Sequence, residues 1–227
     1  MRFKSRKTGG YQVYAACGTN TVSFAIDAGT KATGGADTKG LLGFAVERED
    51  MVENERYYLQ GFKVFQSVIP QPDENTTVST YAHPVQSFVW DDFTAKPERR
   101  YTYWFHPLKG SAKNLDRSPT PIRIAIETEP LFSKNEHDIF FNRGIASSQA
   151  YARKFGNKRP DDLQPAAKQA EAWEWLSRSL DDAILRFIAE ARKGDTLLGC
   201  FYEFSYRPVV DALKAAHDRG VEVQLIL

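Results

Sequence analysis

Hydrophobic and polar residues alternate along the first half of the chain with the two-residue period of a β-strand. Between residues 122 and 126, isoleucines alternate with Arg123 and Ala125, which places the isoleucines on one face of an extended segment. The same pattern, interrupted by turn residues, predicts further strands over 11–17, 22–28, 41–48, 57–68, 85–93 and 100–106. Short strands at such spacing are typical of antiparallel sandwiches, so we predict a β-sandwich domain over 11–130.

Aromatic side chains are concentrated in the second part of this β region. They are Phe88, Trp90, Phe93, Tyr101, Tyr103, Trp104 and Phe105. Such rings fit the space between two sheets, and they also fit an exposed binding face. We favour core packing, because large rings bury much apolar surface.

The pattern changes after residue 130, where apolar residues begin to recur every three or four positions. We predict a linker over 131–165 that contains a short helix over 142–155, and a long helix over 166–193 that ends at Gly194. The apolar residues of the long helix form one stripe that we expect to face the core. They are Trp173, Leu176, Leu180, Ile184, Phe187 and Ile188.

The end of the chain predicts a strand, a helix and a second strand. An apolar run over 196–204 is typical of a buried strand, and we expect Cys200 within it to be buried. Ser205 is a candidate N-cap of the helix, and Gly220 is a natural stop. A second apolar strand follows over 221–227, so the tight connections predict a parallel βαβ unit.

Two parallel strands and a long helix do not bury a complete sheet. We therefore expect residues 166–227 to be the incomplete start of an α/β domain, and we expect the protein to continue past Leu227. The predicted fold class is α+β and multidomain: an antiparallel β-sandwich followed by the opening βαβ part of an α/β domain.

Composition mainly excludes classes of function. Lysine and arginine total 30 and aspartate and glutamate 29, a formal net charge of +1, so bulk charge gives no argument for nucleic-acid or membrane binding. Residues 1–10 are basic and are predicted to be a solvated, frayed tail. Two cysteines form neither a disulfide framework nor a zinc pattern. No stretch approaches the roughly 20 apolar residues of a membrane span, and we expect a cytoplasmic protein with no cofactor and no metal.

Short pieces of the back half carry a resemblance to a known family. They are residues 140–151 (FFNRGIASSQAY), 175–180 (WLSRSL), 202–204 (YEF), 213–216 (LKAA) and 219–223 (RGVEV). In combination they resemble the phospholipase D superfamily, in particular its bacterial cardiolipin-synthase-like members. The resemblance covers residues 137–227, whereas the front half resembles only a generic immunoglobulin-like sandwich and has no motif of its own.

The resemblance implies a phosphodiesterase fold in which two His-x-Lys motifs meet in one cleft. One histidine attacks phosphorus and forms a phosphohistidine, and the other protonates the leaving oxygen. Imidazole suits both roles because it titrates near neutrality, and fixed ammonium groups stabilise the phosphoryl charge. The implied substrate is a phosphodiester, either a phospholipid or a nucleic acid, and a homo-oligomer is left open.

The chain departs from this pattern at its histidines, none of which has a lysine two residues later. They are His83, His106, His137 and His217. His83 and His106 each precede a proline and are interpreted as loop residues, and His217 as a solvated helix residue. No catalytic residue is therefore carried over, and we expect this polypeptide to lack phosphodiesterase activity.

Three polar residues are candidates for a substrate cleft. Glu203 lies near the carboxyl end of the first predicted strand of the βαβ unit, and the ligand crevice of open α/β sheets lies outside the carboxyl ends of such strands. Its alternative role is a structural pair with Arg207. Asn142 and Arg143 are candidates for the same cleft, since arginine binds phosphate in a bidentate manner; a surface or packing role is the alternative for Arg143.

Two functions follow from the sequence. In the first, the chain is the N-terminal portion of a phospholipase D-like phosphodiesterase and lacks the catalytic motifs. In the second, it is a non-catalytic binding or assembly module, in which the β-sandwich contacts a partner and the α/β part is scaffold.

Overall fold

The computed structural model describes residues 1–73, 76–133, 138–140, 142 and 149–227. Contacts divide the chain into two compact units, a front unit, Met1–Asp138, and a back unit, Ile139–Leu227. None of the helices within the described ranges is long and apolar enough to cross a membrane.

In its described residues the front unit contains β-strands and a short 3₁₀ turn, Lys31–Thr33, in the glycine-rich loop after the third strand. In chain order the strands are β1 (Arg2–Lys4), β2 (Gln12–Cys17), β3 (Val22–Asp27), β4 (Gly43–Asp50), β5 (Glu55–Tyr58), β6 (Gln60–Gly61), β7 (Val78–Ser79), β8 (Val89–Asp92), β9 (Arg100–Ser111), β10 (Asn114–Asp116) and β11 (Ile122–Glu127).

These strands form two main antiparallel sheets. The first has the order β1-β2-β3-β8; the second has the order β10-β9-β4-β5, with β11 also paired to β9. One buried cluster draws Val13 and Phe24 from the first sheet and Phe44, Phe105 and Ile122 from the second. The architecture is α+β and mostly antiparallel, and it is compatible with the predicted β-sandwich.

A buried ion pair joins the two sheets. Arg48 of β4 donates from Nη1 to Oδ2 of Asp92 in β8 at 2.8 Å, and the hydroxyl of Tyr103 donates to the same oxygen at 2.8 Å. Both charged side chains are almost fully buried. Burial lowers the pKa of the Arg48 guanidinium, but the charge of Asp92, its hydrogen bond and the nearby Tyr103 and Tyr57 together outweigh burial, so the net shift of that pKa is upward.

Several expectations for the front unit are wrong. Arg2–Lys4 form an edge strand on β2 rather than a frayed tail. Residues 62–68 are not strand: pairing ends at Gly61, and Phe62 is exposed. His106 lies on β9 rather than in a loop, with its ring 5.5 Å from that of Tyr58.

The aromatic residues divide between the core and the surface. Tyr101, Tyr103 and Phe105 are buried in the cluster, in accord with core packing. Phe88 and Phe93 flank the four residues of β8, and both are exposed.

The back unit contains helices and one pair of parallel strands. Its elements are α1 (Gln149–Phe155), a 3₁₀ turn (Pro160–Asp162), α2 (Ala166–Ser177), α3 (Leu180–Glu190), β12 (Thr196–Cys200), α4 (Arg207–Asp218) and β13 (Glu222–Ile226). Tyr151, Phe155 and Leu163, from the predicted linker, pack with Ala172 of α2 in a small buried cluster.

The single long helix predicted over 166–193 is wrong. Arg178 and Ser179 both have left-handed backbones, with φ of 52° and 65°, and they separate α2 from α3. The break has a packing reason: Ala172 of α2 belongs to the cluster around α1, whereas Ile188 of α3 belongs to a second cluster against α4 and the parallel strands. In this arrangement, one straight helix would not contribute residues to both clusters.

Substituting Ser179 with glycine is expected to stabilise the back unit by about 0.5–1 kcal/mol, because a left-handed backbone penalises residues that carry a Cβ atom. The Ser179 side chain makes no capping hydrogen bond, so little is lost. Hydrogen-exchange mass spectrometry of α3 peptides in a urea series measures the change. Ser179→Ala is the matched control, and a gain of equal size in that variant would contradict the backbone explanation.

The predicted parallel βαβ unit is confirmed. β12 and β13 pair in parallel from Thr196 opposite Glu222 to Cys200 opposite Ile226. α4 covers one face of this pair through Leu213 and Ala216 of its buried stripe. The predicted stop is confirmed too, since Gly220 has a φ of 88°.

Three details of this unit differ from the prediction. The first strand, β12, ends at Cys200 rather than at residue 204. The residue that caps α4 is Tyr206, not Ser205. Cys200 is exposed rather than buried. Leu197 points toward the helices, so Leu198 and Cys200 alternate with the inward-facing positions and are exposed.

Candidate ligand-binding cleft

A cleft of about 340 Å³ lies in the back unit beside the break between α2 and α3. Its walls come from both helices and from the segment that joins β12 to α4. The lining residues are Asn142, Trp173, Leu176, Ser177, Leu180, Asp181, Ile184 and Tyr206. Clefts of this size with apolar walls and a few convergent polar groups are typical small-molecule sites.

The polar end of the cleft is organised around the carboxylate of Asp181. Ser177, the last residue of α2, donates from its hydroxyl to Oδ1. The hydroxyl of Tyr206 donates to Oδ2 at 3.3 Å. The turn at Arg178 and Ser179 brings the end of α2 against the first turn of α3, and the segment before α4 supplies Tyr206.

The surroundings of Tyr206 favour the neutral form of its hydroxyl group. Burial raises the pKa of Tyr206, and the negative charge of Asp181 and the hydrogen bond to it raise that pKa further. Because the folded-state pKa is raised, the stability gained from this contact is present below the ordinary pKa. It is lost as the pH rises through the folded-state value.

Asp181→Asn is expected to lower the pKa of Tyr206 toward its ordinary value of about 10, because the variant removes the nearest negative charge. Asp182→Asn is the matched control and should lower it less, since Asp182 acts on Tyr206 only as a weaker charge. An NMR titration of the tyrosine ring, assigned with Tyr206→Phe, measures both. Equal shifts in the two variants would contradict the proposed contact.

The apolar walls come from the stripe that was predicted to face the core. Trp173, Leu176, Leu180 and Ile184 all line the cleft, and the exposed fraction is 48% for Trp173 and 39% for Ile184. That part of the stripe therefore forms an accessible wall. The helices have the predicted spacing of apolar residues at three and four positions, but these residues line a cleft rather than a closed core.

The predicted cleft residues have different outcomes. Asn142 lines the cleft, whereas Arg143 lies outside the described residues. Glu203 is exposed in the loop after β12. Its alternative partner Arg207 pairs instead with Asp211, at 3.0 Å.

Sequence reasoning missed the three residues that form the polar end. Ser177 and Asp181 stand four positions apart within an apolar stripe, and this polar interruption was the available signal. The sequence around Tyr206 contains no such signal, because the contact of Tyr206 with Asp181 depends on how the chain returns from β12 to α4.

The histidines lie elsewhere. His83 is buried in the front unit, where its Nδ1 accepts a hydrogen bond from the backbone of Phe65 at 3.1 Å, and burial lowers the pKa of its imidazole. His106 Nε2 lies 3.2 Å from Glu47. His217 is exposed on α4 as predicted, and His137 lies outside the described residues.

The described lining residues include neither an imidazole nor a cation. Across the described ranges, no group of three or more histidine, cysteine, aspartate or glutamate side chains is arranged to hold a metal ion. The cleft can orient a ligand through one carboxylate and two hydroxyl groups, but its described residues do not provide the groups for phosphoryl transfer.

Comparison with known proteins does not assign the chain to a family. No protein-family model matches the chain, and no curated protein matches it. The cleft has therefore to be interpreted from its own chemistry.

Proposed function

We propose that this chain is the N-terminal, non-catalytic portion of a phospholipase D-like phosphodiesterase. In this proposal an immunoglobulin-like β-sandwich precedes the opening βαβ part of the phosphodiesterase domain. The complete protein would act on a phosphodiester, either a phospholipid or a nucleic acid. This chain would supply scaffold and part of the substrate cleft.

The observation that carries the proposal is the parallel pair of β12 and β13 with α4 between them. Ligand sites of open parallel sheets lie beyond the carboxyl ends of the strands. In this proposal the substrate crevice lies beyond the carboxyl ends of β12 and β13. The resembling pieces of sequence lie in the same unit.

The residues of this chain do not provide the catalytic groups of the proposed reaction. The proposed reaction needs histidines for nucleophilic attack and acid catalysis and lysines to stabilise the phosphoryl charge. The sequence has no His-x-Lys motif, and the cleft presents the carboxylate of Asp181, which repels a phosphate. We therefore assign the chain no catalytic residue.

Hydrolysis of bis(p-nitrophenyl) phosphate in EDTA tests the proposal. We expect no turnover by this chain, and we expect metal-independent turnover by the product of the reading frame extended past Leu227. Turnover by the chain alone would contradict its assignment as non-catalytic. A folded extended product that is also silent would count against the phosphodiesterase proposal as a whole.

A second function, a binding or assembly module, is favoured by the outer face of the second sheet. There the guanidinium of Arg56 lies 4.1 Å from the centre of the Trp104 ring, and that of Arg123 lies 6.0 Å away. The rings of Tyr58 and Tyr81 also pack together, with their centres 4.8 Å apart. Aromatic and guanidinium planes on the open face of an antiparallel sheet are suited to stacking with bases of single-stranded nucleic acid.

Fluorescence anisotropy with a labelled single-stranded oligonucleotide tests this second function. Binding that weakens with salt and with Arg123→Ala would support it. Arg186→Ala, which removes an exposed arginine of α3, is the control and should leave the affinity unchanged. Equal losses in both variants would indicate charge attraction without a defined surface.

A further inference from the structure

The electrostatics of the cleft indicate the charge of its ligand. Asp181 is the one charged side chain among the described lining residues. Asp182 follows it in the first turn of α3 but does not line the cleft. The apolar walls around a partly buried carboxylate weaken the screening by water, so an opposite charge is attracted more strongly there than at an open surface.

The hydrogen bonds at Asp181 leave capacity for such a ligand. A carboxylate offers about four acceptor positions on its two oxygens, and Ser177 and Tyr206 each supply one donor. Within the part of the chain that the structure describes, these hydroxyl groups hold the carboxylate in place and leave acceptor positions unused. An ammonium group, which carries only donors, complements that arrangement.

The walls indicate the rest of the ligand. Trp173 stands one helical turn before Ser177, so its indole and the polar end lie on the same face of α2. Leu180 and Ile184 continue the apolar wall along α3. An aromatic or aliphatic body can pack on this wall while its charged end reaches Asp181, and indole rings also attract cations.

We propose that the cleft binds a small organic cation, a primary ammonium group attached to an apolar body. Asp181 receives the ammonium group, Ser177 and Tyr206 position the carboxylate, and Trp173 packs against the body. This site does not depend on the phosphodiesterase proposal, since a binding experiment requires no turnover.

Calorimetric titration of the full chain with 2-phenylethylammonium tests the assignment, with 2-phenylethanol as the neutral analogue. We expect the ammonium compound to bind about tenfold more tightly or better, because hydrogen bonds to a charged group are the stronger class. Asp181→Asn should remove that preference. Asp182→Asn, the matched control, should keep the affinity within about twofold, since Asp182 does not line the cleft.

A second variant locates the site independently of Asp181. Ile184→Lys places a positive charge at a partly exposed wall position and should abolish binding of the ammonium compound, with circular dichroism confirming the fold. Equal affinity for the alcohol and the ammonium compound in the unaltered protein would overturn the proposal. The absence of binding by either compound, or binding that survives Ile184→Lys, would overturn it too.

Discussion

Asp92→Ala is expected to destabilise the front unit by about 3–5 kcal/mol, because it leaves the buried guanidinium of Arg48 without its counter-charge. Asp92 accepts hydrogen bonds from Arg48 and Tyr103 through Oδ2 and from the backbone and hydroxyl of Thr94 through Oδ1. The substitution removes all of these contacts. It also removes the ion pair between β8 in the first sheet and β4 in the second.

Hydrogen exchange of β9 peptides in a urea series measures the loss of stability of the front unit, independently of unfolding of the back unit. Glu127→Ala is the control: its partner Arg100 is largely exposed, and exposed pairs contribute about 0–1 kcal/mol. A combined Arg48→Met and Asp92→Leu variant should be more stable than Asp92→Ala, because no unpaired charge then remains buried. A loss in Asp92→Ala no larger than that in Glu127→Ala would mean that the ion pair does not join the sheets energetically.

Local periodicity predicted those strands whose one face is fully buried. β11 was predicted from three alternating isoleucines, and all three are buried; the burial of one face is what selects such a pattern. Periodicity failed over 62–68, where apolar residues continue although pairing ends at Gly61. Which segment finds a partner strand depends on the second sheet as a whole, and a local pattern does not contain that information.

The helices illustrate the same limit. The stripe through Trp173 and Ile184 keeps its spacing across the left-handed turn at Arg178 and Ser179, so the sequence gives one continuous signal for two helices. The break is decided by the two clusters that α2 and α3 join. The contact of Tyr206 with Asp181 depends on how the chain returns from β12 to α4, and it was therefore outside the reach of spacing arguments.

Phe24→Ala should lower the free energy of unfolding of the front unit by about 3–5 kcal/mol, the usual range for removing a buried aromatic ring. The ring of Phe24 belongs to β3 of the first sheet, and its centre lies 4.7 Å from that of Tyr103 and 5.0 Å from that of Phe105, both on β9 of the second sheet. It also stacks with Trp90 of β8 at 6.0 Å. Alanine would leave a cavity between the sheets that rigid neighbours fill poorly.

Two variants separate this cavity from a general effect of shortening an apolar side chain. Val89→Ala alters an exposed residue on the strand next to β3 and should change stability by less than about 0.5 kcal/mol. Phe24→Leu keeps most of the apolar volume and should cost less than the alanine variant. Exchange of β9 peptides is again the measurement, since β9 forms the opposite wall. If β9 protection fell only in Asp92→Ala and not in Phe24→Ala, the sheets would be joined by the ion pair and not by the aromatic core between them.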